Sequence, residues 1–187
     1  TVGYLAQDIY YRRINELNEL NQSAFRDSFI YDYRISDLDM YYLFSASLSQ
    51  NSILQGIEDA LTLAEQIKRY GFLESEFDLA KKRHLDHLNQ ALIEENTRSS
   101  EDFIDEYIDH FIYEEIITGI AKEIEYTEEM FKSISVEDLN DYFKNYLSSN
   151  NRIISIVAPD FITDLPTQAE IESLFEIGSQ KNIEQYE

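Results

Sequence analysis

Residues 69–81 read RYGFLESEFDLAK, and this stretch predicts two helices joined by a tight turn. Glycine often follows the last turn of a helix because it adopts left-handed backbone angles at little cost, so Gly71 is expected to end the first helix. Phe72 would pack back onto that helix, and the acidic residues of segment 74–76 suit the positive N-terminal end of the second helix. The stretch therefore predicts a helical pair in the middle of the chain.

Apolar residues recur at helical spacing on both sides of this turn. Before it, one helix is predicted over about residues 4–21. A second is predicted over 53–67, with the Asn51-Ser52 pair offering its N-cap. After the turn, Ser75 and Asp78 have the spacing of a capping box and are predicted to open the next helix.

Four more helices are predicted in the second half of the chain. The first begins near Ser99-Ser100, and its wide apolar stripe predicts burial on much of its circumference. That stripe comprises Phe103, Ile104, Tyr107, Ile108, Phe111 and Ile112. The others are a short helix over residues 127–131, one opened by a Ser135/Asp138 capping box, and one opened by Thr167 and Glu170.

Two segments change to the alternating period of strands. Residues 28–35 and 42–49 alternate apolar and polar side chains, and the polar segment 36–39 between them predicts a hairpin. The β-branched run 153–157, stopped by Pro159, predicts a buried strand. Strands and helices that cluster separately indicate an α+β fold, in which helices pack on one face of a small, largely antiparallel sheet.

The composition indicates a single acidic domain spanning residues 1–187. With 37 acidic and 15 basic residues, the formal net charge is −22. A field of this sign repels phosphate backbones, so no nucleic-acid partner is predicted. No apolar run approaches the roughly 20 residues that cross a bilayer, so no membrane span is predicted. Because the chain begins at Thr1 and runs directly into a helical pattern, we expect it to be part of a longer protein.

The 3 histidines are the first candidates for metal chemistry. His84 and His87 lie three residues apart on one predicted helix, and His110 lies four residues from both Glu106 and Glu114. Neither helical zinc-protease signature, H-E-x-x-H or H-x-x-E-H, occurs at any of them. A glutamate four residues from a histidine is expected by chance in so acidic a chain. We therefore predict no catalytic, metal-ligating or cofactor-binding residue in this chain.

Other catalytic patterns are also absent from the sequence. There is no cysteine, which excludes disulfides and thiolate zinc sites, and no G-x-S-x-G motif.

Acidic residues concentrate between Glu94 and Glu115, where Arg98 is the one basic residue. Two interpretations of this segment stay open. It is a solvated helix face, or an acidic wall that faces a basic partner domain or a cationic peptide.

The order of motifs resembles one family of proteins. Residues 69–81 are similar to the G-F-(x)3-E-(L/F)-x-x-A-K helix-turn-helix of pitrilysin/insulinase-type zinc metalloproteases. Four further segments resemble that family in the same order: residues 13–17, residues 117–126, the Ile134–Asn140 helix start and the 152–159 closing strand. The resemblance covers about residues 4–160 and leaves 161–187 as a C-terminal helical extension.

The resemblance implies an architecture. These metalloendopeptidases repeat one α+β domain, the mitochondrial-processing-peptidase-like metallohydrolase fold, in two halves that enclose a chamber. One domain carries H-x-x-E-H and a distal glutamate for zinc, and its partner domains have lost these ligands. The chain resembles such an inactive peptidase domain, although it lacks the strand that usually precedes the first helix. Zinc is therefore expected in the catalytic domain of the parent chain and not here.

The resemblance also implies partners and a role. The expected partners are the catalytic domain of the same parent protein and the peptide substrates, and the expected role is to complete the chamber wall. The alternative is a scaffold or interaction domain, because ligand-less members of this fold also serve in assemblies without protease activity. Bacterial relatives of the two-halved kind are often exported to the periplasm or envelope, whereas the chain itself leaves its location open.

Overall fold

The computed structural model describes residues 2–20, 22–34, 40–49, 52–97, 99–114, 116–147 and 153–186. A first helix is followed by a hairpin and then by a run of helices. The elements are α1 (Val2–Glu19), β1 (Phe25–Arg34), β2 (Met40–Leu48), α2 (Ile53–Tyr70), α3 (Glu74–Ile93), α4 (Ile104–Tyr113), α5 (Ile120–Phe131), α6 (Val136–Leu147) and α7 (Gln168–Gln180). None of the helices in these described ranges combines the length and the apolar content of a membrane span.

The hairpin confirms the two predicted strands and their antiparallel pairing. Ser28 pairs with Ala46 and Ile30 with Phe44, and these residues face the helices. The buried Ser28 hydroxyl lies 2.7 Å from the Tyr10 hydroxyl of α1, so the sheet is joined to that helix by a polar contact as well as by apolar packing. The predicted turn at 36–39 lies outside the described residues. The α+β prediction, with helices on one face of a small antiparallel sheet, is confirmed.

Helix α1 forms the centre of the core. Leu5, Ala6, Tyr10 and Ile14 have no exposed surface, and α1 packs against β1, α3 and α6. Leu139 and Phe143 of α6 are also fully buried. The predicted opening of α6 is confirmed, because the Asp138 carboxylate accepts hydrogen bonds from the Ser135 backbone N–H at 2.8 Å and from its hydroxyl at 2.9 Å.

Gly71 and Gly119 have positive φ, and the helices that follow them begin at other residues than predicted. Helix α3 begins one residue before Ser75, and its opening bond runs from the Leu73 N–H to the Glu76 carboxylate at 2.7 Å, so the Ser75/Asp78 capping box is wrong. The chain re-enters a helix this early because Gly71 reverses it sharply at φ 77°. The predicted short helix 127–131 is the second half of α5, which begins directly after Gly119.

Two predictions of burial are wrong. Five apolar residues of α4, Ile104, Tyr107, Ile108, Phe111 and Ile112, are between 46% and 88% exposed. The run 153–157 is not a strand, and Ile153 and Val157 are 87% and 93% exposed. Periodicity and β-branching report which side of a segment is apolar, but burial needs a partner surface. Within the described residues, β1 and β2 pair only with each other, and no third strand joins the sheet.

Candidate functional site

His84 is a packing residue at the junction of three helices. Its ring centroid lies 4.5 Å from that of Tyr4 in α1 and 5.9 Å from that of Phe131 in α5. Burial lowers the pKa of His84, and the nearby charge of His87 lowers it further, while Asp8 acts in the opposite direction. A neutral imidazole between two aromatic rings suits helix packing.

The other two histidines do not assemble a ligand set with it. His87 and His110 both have exposed side chains. Helix α4 ends at Tyr113, and Glu114 adopts left-handed backbone angles with φ 56°, so it leaves the helical register that would align it with His110. Among the residues that the structure describes, no three His, Asp or Glu side chains come close enough to hold a metal ion. That the chain has no metal or catalytic residue stays a prediction.

The buried arginine of α1 is the centre of a polar site inside the fold. Arg13 is 1% exposed, and its Nε and Nη2 donate to the two carboxylate oxygens of Glu76 at 2.8 and 2.6 Å. Nη2 also donates to the Gly71 carbonyl at 3.2 Å. The two-point contact orients Glu76, which in turn accepts a hydrogen bond from the backbone N–H of Leu73, the residue just before α3. Arg13 thus fixes the start of α3 against α1.

Asn140 of α6 completes this polar site. We call the site, formed by Arg13, Glu76, Asn140 and the turn at residues 71–73, the Arg13 junction. Its Oδ1 accepts the Phe72 backbone N–H at 2.7 Å. Gly71 lies so close that a Cβ built there would stand 2.6 Å from Asn140 Nδ2. Three segments that carry the family resemblance, residues 13–17, 69–81 and 134–140, therefore meet at one point. Their common feature in this chain is the packing of a tight turn and not a reactive group.

The C-terminal segment covers the open side of the junction. The Tyr186 ring lies 4.1 Å from the Arg13 guanidinium carbon, and its hydroxyl donates to the Glu16 carboxylate. Burial and the hydrogen bond to Glu16 raise the pKa of Tyr186 to about 12. Sequence patterns could not indicate this contact, because a single tyrosine after the last helix has no periodic pattern around it.

A second candidate surface is apolar and exposed. It consists of Ile104, Tyr107, Ile108, Phe111 and Ile112 of α4, followed by Ile116. A separate group, Ile153, Val157 and Phe161, is exposed further along the chain. Phe111 is 88% exposed and Ile116 is 85% exposed, values unusual for large apolar side chains that recur along one segment. We call the first group, residues 104–116, the α4 surface.

Acidic residues lie among and next to the residues of the α4 surface along the chain. Glu101 and Glu114 are exposed, and Asp109 is half-buried. The side chains of Asp102 and Asp105 lie outside the described part of the chain, as does Glu115. The structure therefore places acidic groups beside the apolar ones, and the two interpretations of the acidic segment stay open.

Comparisons with known proteins point to one group of proteases. No protein-family profile matches the chain. A zinc protease PQQL-like protein from Arabidopsis thaliana is 26% identical over 97 residues, which are 52% of this chain and 10% of that protein. Among solved structures, the periplasmic protease PqqL from Escherichia coli matches with a TM-score of 0.81 and 13% identity over 96% of this chain. A predicted insulinase-family protease from Yersinia pestis matches with a TM-score of 0.75 and 11% identity over 95%.

These relatives are much longer than the chain. It covers 20% of the PqqL chain, and it covers 40% of a separately solved first half of PqqL with a TM-score of 0.82 and 12% identity. It covers 38% of the Yersinia chain. The chain as a whole thus corresponds to one part of each relative, and it has the fold of a domain of insulinase-family proteases.

Proposed function

We propose that this chain is a non-catalytic partner domain of an insulinase-type zinc metalloprotease, which packs against a zinc-bearing domain of the same parent protein and helps to enclose peptide substrates. The observation that carries the proposal is the coverage: 96% of the chain superposes on 20% of the PqqL chain. A domain of this kind needs no zinc ligands of its own, which agrees with the absence of both zinc-protease signatures from the sequence.

The α4 surface is the proposed packing face toward the rest of the parent protein. Interfaces between domains of one chain bury apolar side chains that would otherwise contact water. Tyr107 and Phe111, at 56% and 88% exposed, supply the large apolar area that such an interface uses. Because PqqL is a periplasmic protease, we also propose the bacterial periplasm or envelope as the location.

The experiment introduces charge on this face in the full-length parent protein. The double substitution Tyr107→Glu with Phe111→Glu is expected to reduce peptide cleavage at least tenfold while zinc stays at one ion per chain. Tyr11→Glu is the matched control, because Tyr11 of α1 is 49% exposed and lies outside the α4 surface. Cleavage rates and zinc content by elemental analysis are the measurements. Unchanged cleavage by the double variant would contradict the packing role.

The sequence and the metal content of the parent protein distinguish the protease proposal from the scaffold alternative. An H-x-x-E-H motif within about 200 residues upstream, roughly one domain length, together with bound zinc supports the protease. A parent protein that has neither, and cleaves no peptide, is a scaffold. The present chain alone is expected to bind no stoichiometric zinc and to cleave no peptide in either case.

The acidic residues in and just before α4 suggest a proposed substrate preference within the chamber. If they line it, cationic peptides should be favoured over anionic ones by charge complementarity. Neutralising Glu101, Asp105 and Asp109 to amides in the parent protein should then reduce the ratio of kcat/KM for basic and acidic peptides by at least threefold. An unchanged ratio would assign these carboxylates to the solvated helix face.

A further inference from the structure

Helix α2 binds the main chain of the C-terminal segment with side chains from one of its faces. Gln66 Nε2 donates to the Glu184 carbonyl at 2.9 Å, and the Tyr70 hydroxyl donates to the Ile183 carbonyl at 2.8 Å. Arg69 donates to the carbonyls of Lys181 and Gly178 at 2.7 and 3.1 Å. Positions 66, 69 and 70 are neighbours on a helix surface. Gly178 lies in the last turn of α7, so Arg69 binds the C-terminal end of that helix, whereas Gln66 and Tyr70 bind the non-helical backbone that follows it.

Three side chains of the segment add specificity to these backbone contacts. The Lys181 ammonium lies 2.9 Å from a carboxylate oxygen of Glu58 and 3.3 Å from the Thr62 hydroxyl. Ile183 is buried, at 6% exposed, and Tyr186 stacks on Arg13. The pattern recognised is a basic residue, a branched aliphatic residue two positions later and a tyrosine three positions after that.

The groove between α1 and α2 keeps open space beside the segment that lies in it. A cavity of about 730 Å³ remains between residues 182–186 and the two helices, and Leu17, Leu20 and Leu63 contribute to its wall. This volume falls in the usual range of ligand pockets. Leu20 is 57% exposed, so apolar surface continues beyond the segment toward the end of α1.

We propose that the α1/α2 groove is a binding site for extended peptides, and that residues 181–186, which follow α7, occupy it as an intramolecular ligand. The class of ligand is an extended segment of another chain with the same lysine, aliphatic and tyrosine spacing. Because a tethered segment acts at an effective concentration of about millimolar, a free peptide binds only when the resident segment is displaced or weakened. The inference does not depend on the proposed protease role, because neither zinc nor a reacting group takes part in it.

The test weakens the resident segment in the full chain. The release variant combines Ile183→Asp with Tyr186→Ala, and the groove variant adds Gln66→Ala and Arg69→Ala to it. The probe is a fluorescein-labelled peptide of the sequence of residues 178–187, GSQKNIEQYE, followed by fluorescence anisotropy. The control peptide has the isoleucine and the tyrosine exchanged. Circular dichroism checks that each variant keeps its helices.

We expect the release variant to bind the peptide at least tenfold more tightly than the unaltered chain does. The groove variant and the control peptide should each lose at least tenfold of that affinity. Equal binding by the unaltered chain and both variants would overturn the proposal. A dimer in sedimentation together with no peptide binding would assign the groove to a second copy of the chain and would also overturn it.

A labelling experiment keeps the proposal testable if the release variant does not fold. The chain has no cysteine, so a single introduced thiol reports on one position. Ile183 and Ala64 are buried to the same degree, at 6% and 5% exposed. A thiol reagent under native conditions should modify the Ile183→Cys chain at least tenfold faster than the Ala64→Cys chain. Equal rates would show that the segment leaves the groove only on global unfolding, which is incompatible with an exchangeable ligand.

Discussion

The Arg13 junction and the α4 surface have similar sequence patterns and opposite environments. Both combine apolar residues at helical spacing with charged neighbours. At the junction, Arg13 is 1% exposed and Glu76 satisfies two of its nitrogens. On the α4 surface, Phe111 is 88% exposed and Ile116 is 85% exposed. At the Arg13 junction the chain itself supplies the packing partners, whereas no described part of the chain covers the α4 surface.

The two regions should contribute to different properties: the Arg13 junction to the stability of the chain, and the α4 surface to its proposed packing against another domain. Residues at the junction stabilise the chain whether or not another domain is present, because all their partners lie within it. Residues of the α4 surface contribute little to the stability of the isolated chain, since exposed side chains gain almost nothing from folding. Substitutions in the two regions should therefore act on different measurements.

The largest contrast is expected between two phenylalanines. Phe143 of α6 has no exposed surface, and its ring centroid lies 5.4 Å from that of Phe72 and 6.2 Å from that of Tyr10. Phe143→Ala should lower the free energy of unfolding by about 4 kcal/mol, because it leaves a cavity in the core. Phe111→Ala should change it by less than about 0.5 kcal/mol. Urea unfolding of the isolated chain measures both, and a large loss with Phe111→Ala would place α4 in the core after all.

The next largest effect is expected for the two arginine ion pairs. Arg13→Ala leaves the nearly buried Glu76 carboxylate without its counter-ion, and the free energy of unfolding should fall by about 3 kcal/mol. Arg83→Ala removes a pair with Asp8 at 3.5 Å from an arginine side chain that is 51% exposed, and should cost at most about 1 kcal/mol. Comparable losses in the two variants, measured by urea unfolding, would show that Arg13 is not the centre of the junction.

Alanine substitutions at Gly71 and Gly119 test whether the Asn140 contact, in addition to backbone strain, requires glycine in the turn. Gly71 and Gly119 have similar backbone angles, with φ 77° and 73°, so alanine is strained at both. At Gly119 no atom of the described residues lies within 4 Å of the added Cβ, whereas at Gly71 the Asn140 amide would have to move from its bond to Phe72. Gly71→Ala should cost about 2 kcal/mol and Gly119→Ala about 1 kcal/mol. Equal shifts in thermal unfolding would mean that strain alone explains the turn.

Local signals explain most of what the sequence predicted correctly. The Ser135/Asp138 and Thr167/Glu170 openings of α6 and α7 are contacts within four residues, and both form as predicted. Gly71 ends α2 for the same local reason. The pairing of β1 with β2 needs only a hairpin partner that is close along the chain. These features are encoded in short segments, so a single sequence suffices to find them. The alternation of β1 indicated the wrong buried face, because Ser28 is buried whereas Phe29 and Tyr31 are 44% and 48% exposed.

The features that were missed depend on residues far apart in the chain. Arg13 was part of a resemblance motif, but nothing local indicates that it is buried and pairs with Glu76, 63 residues away. Tyr186 has no pattern that connects it to Arg13. The opposite failure occurred at residues 104–112 and 153–157, where the residue types predicted burial that the described residues do not provide. Tertiary pairing decides all of these cases.

The smallest expected effect tests the C-terminal cover of the junction through its dependence on pH. The pKa of Tyr186 is raised from 10.0 to about 12, first by burial and then by the hydrogen bond to Glu16. The folded chain therefore holds this proton more tightly than the unfolded chain. Its contribution to stability is fully present below pH 10.0, decreases above it and is lost as the pH passes about 12.

Tyr186→Phe removes the titrating hydroxyl, so the variant should lose less stability than the unaltered chain when the pH is raised through this window. Tyr11→Phe is the matched control, because Tyr11 is 49% exposed, and it should leave the pH dependence unchanged. Urea midpoints between pH 9 and pH 12 are the measurement. If Tyr186→Phe follows the pH dependence of the unaltered chain, the hydroxyl is not buried at the junction, and the C-terminal segment belongs with the α4 surface among the regions that the chain leaves open.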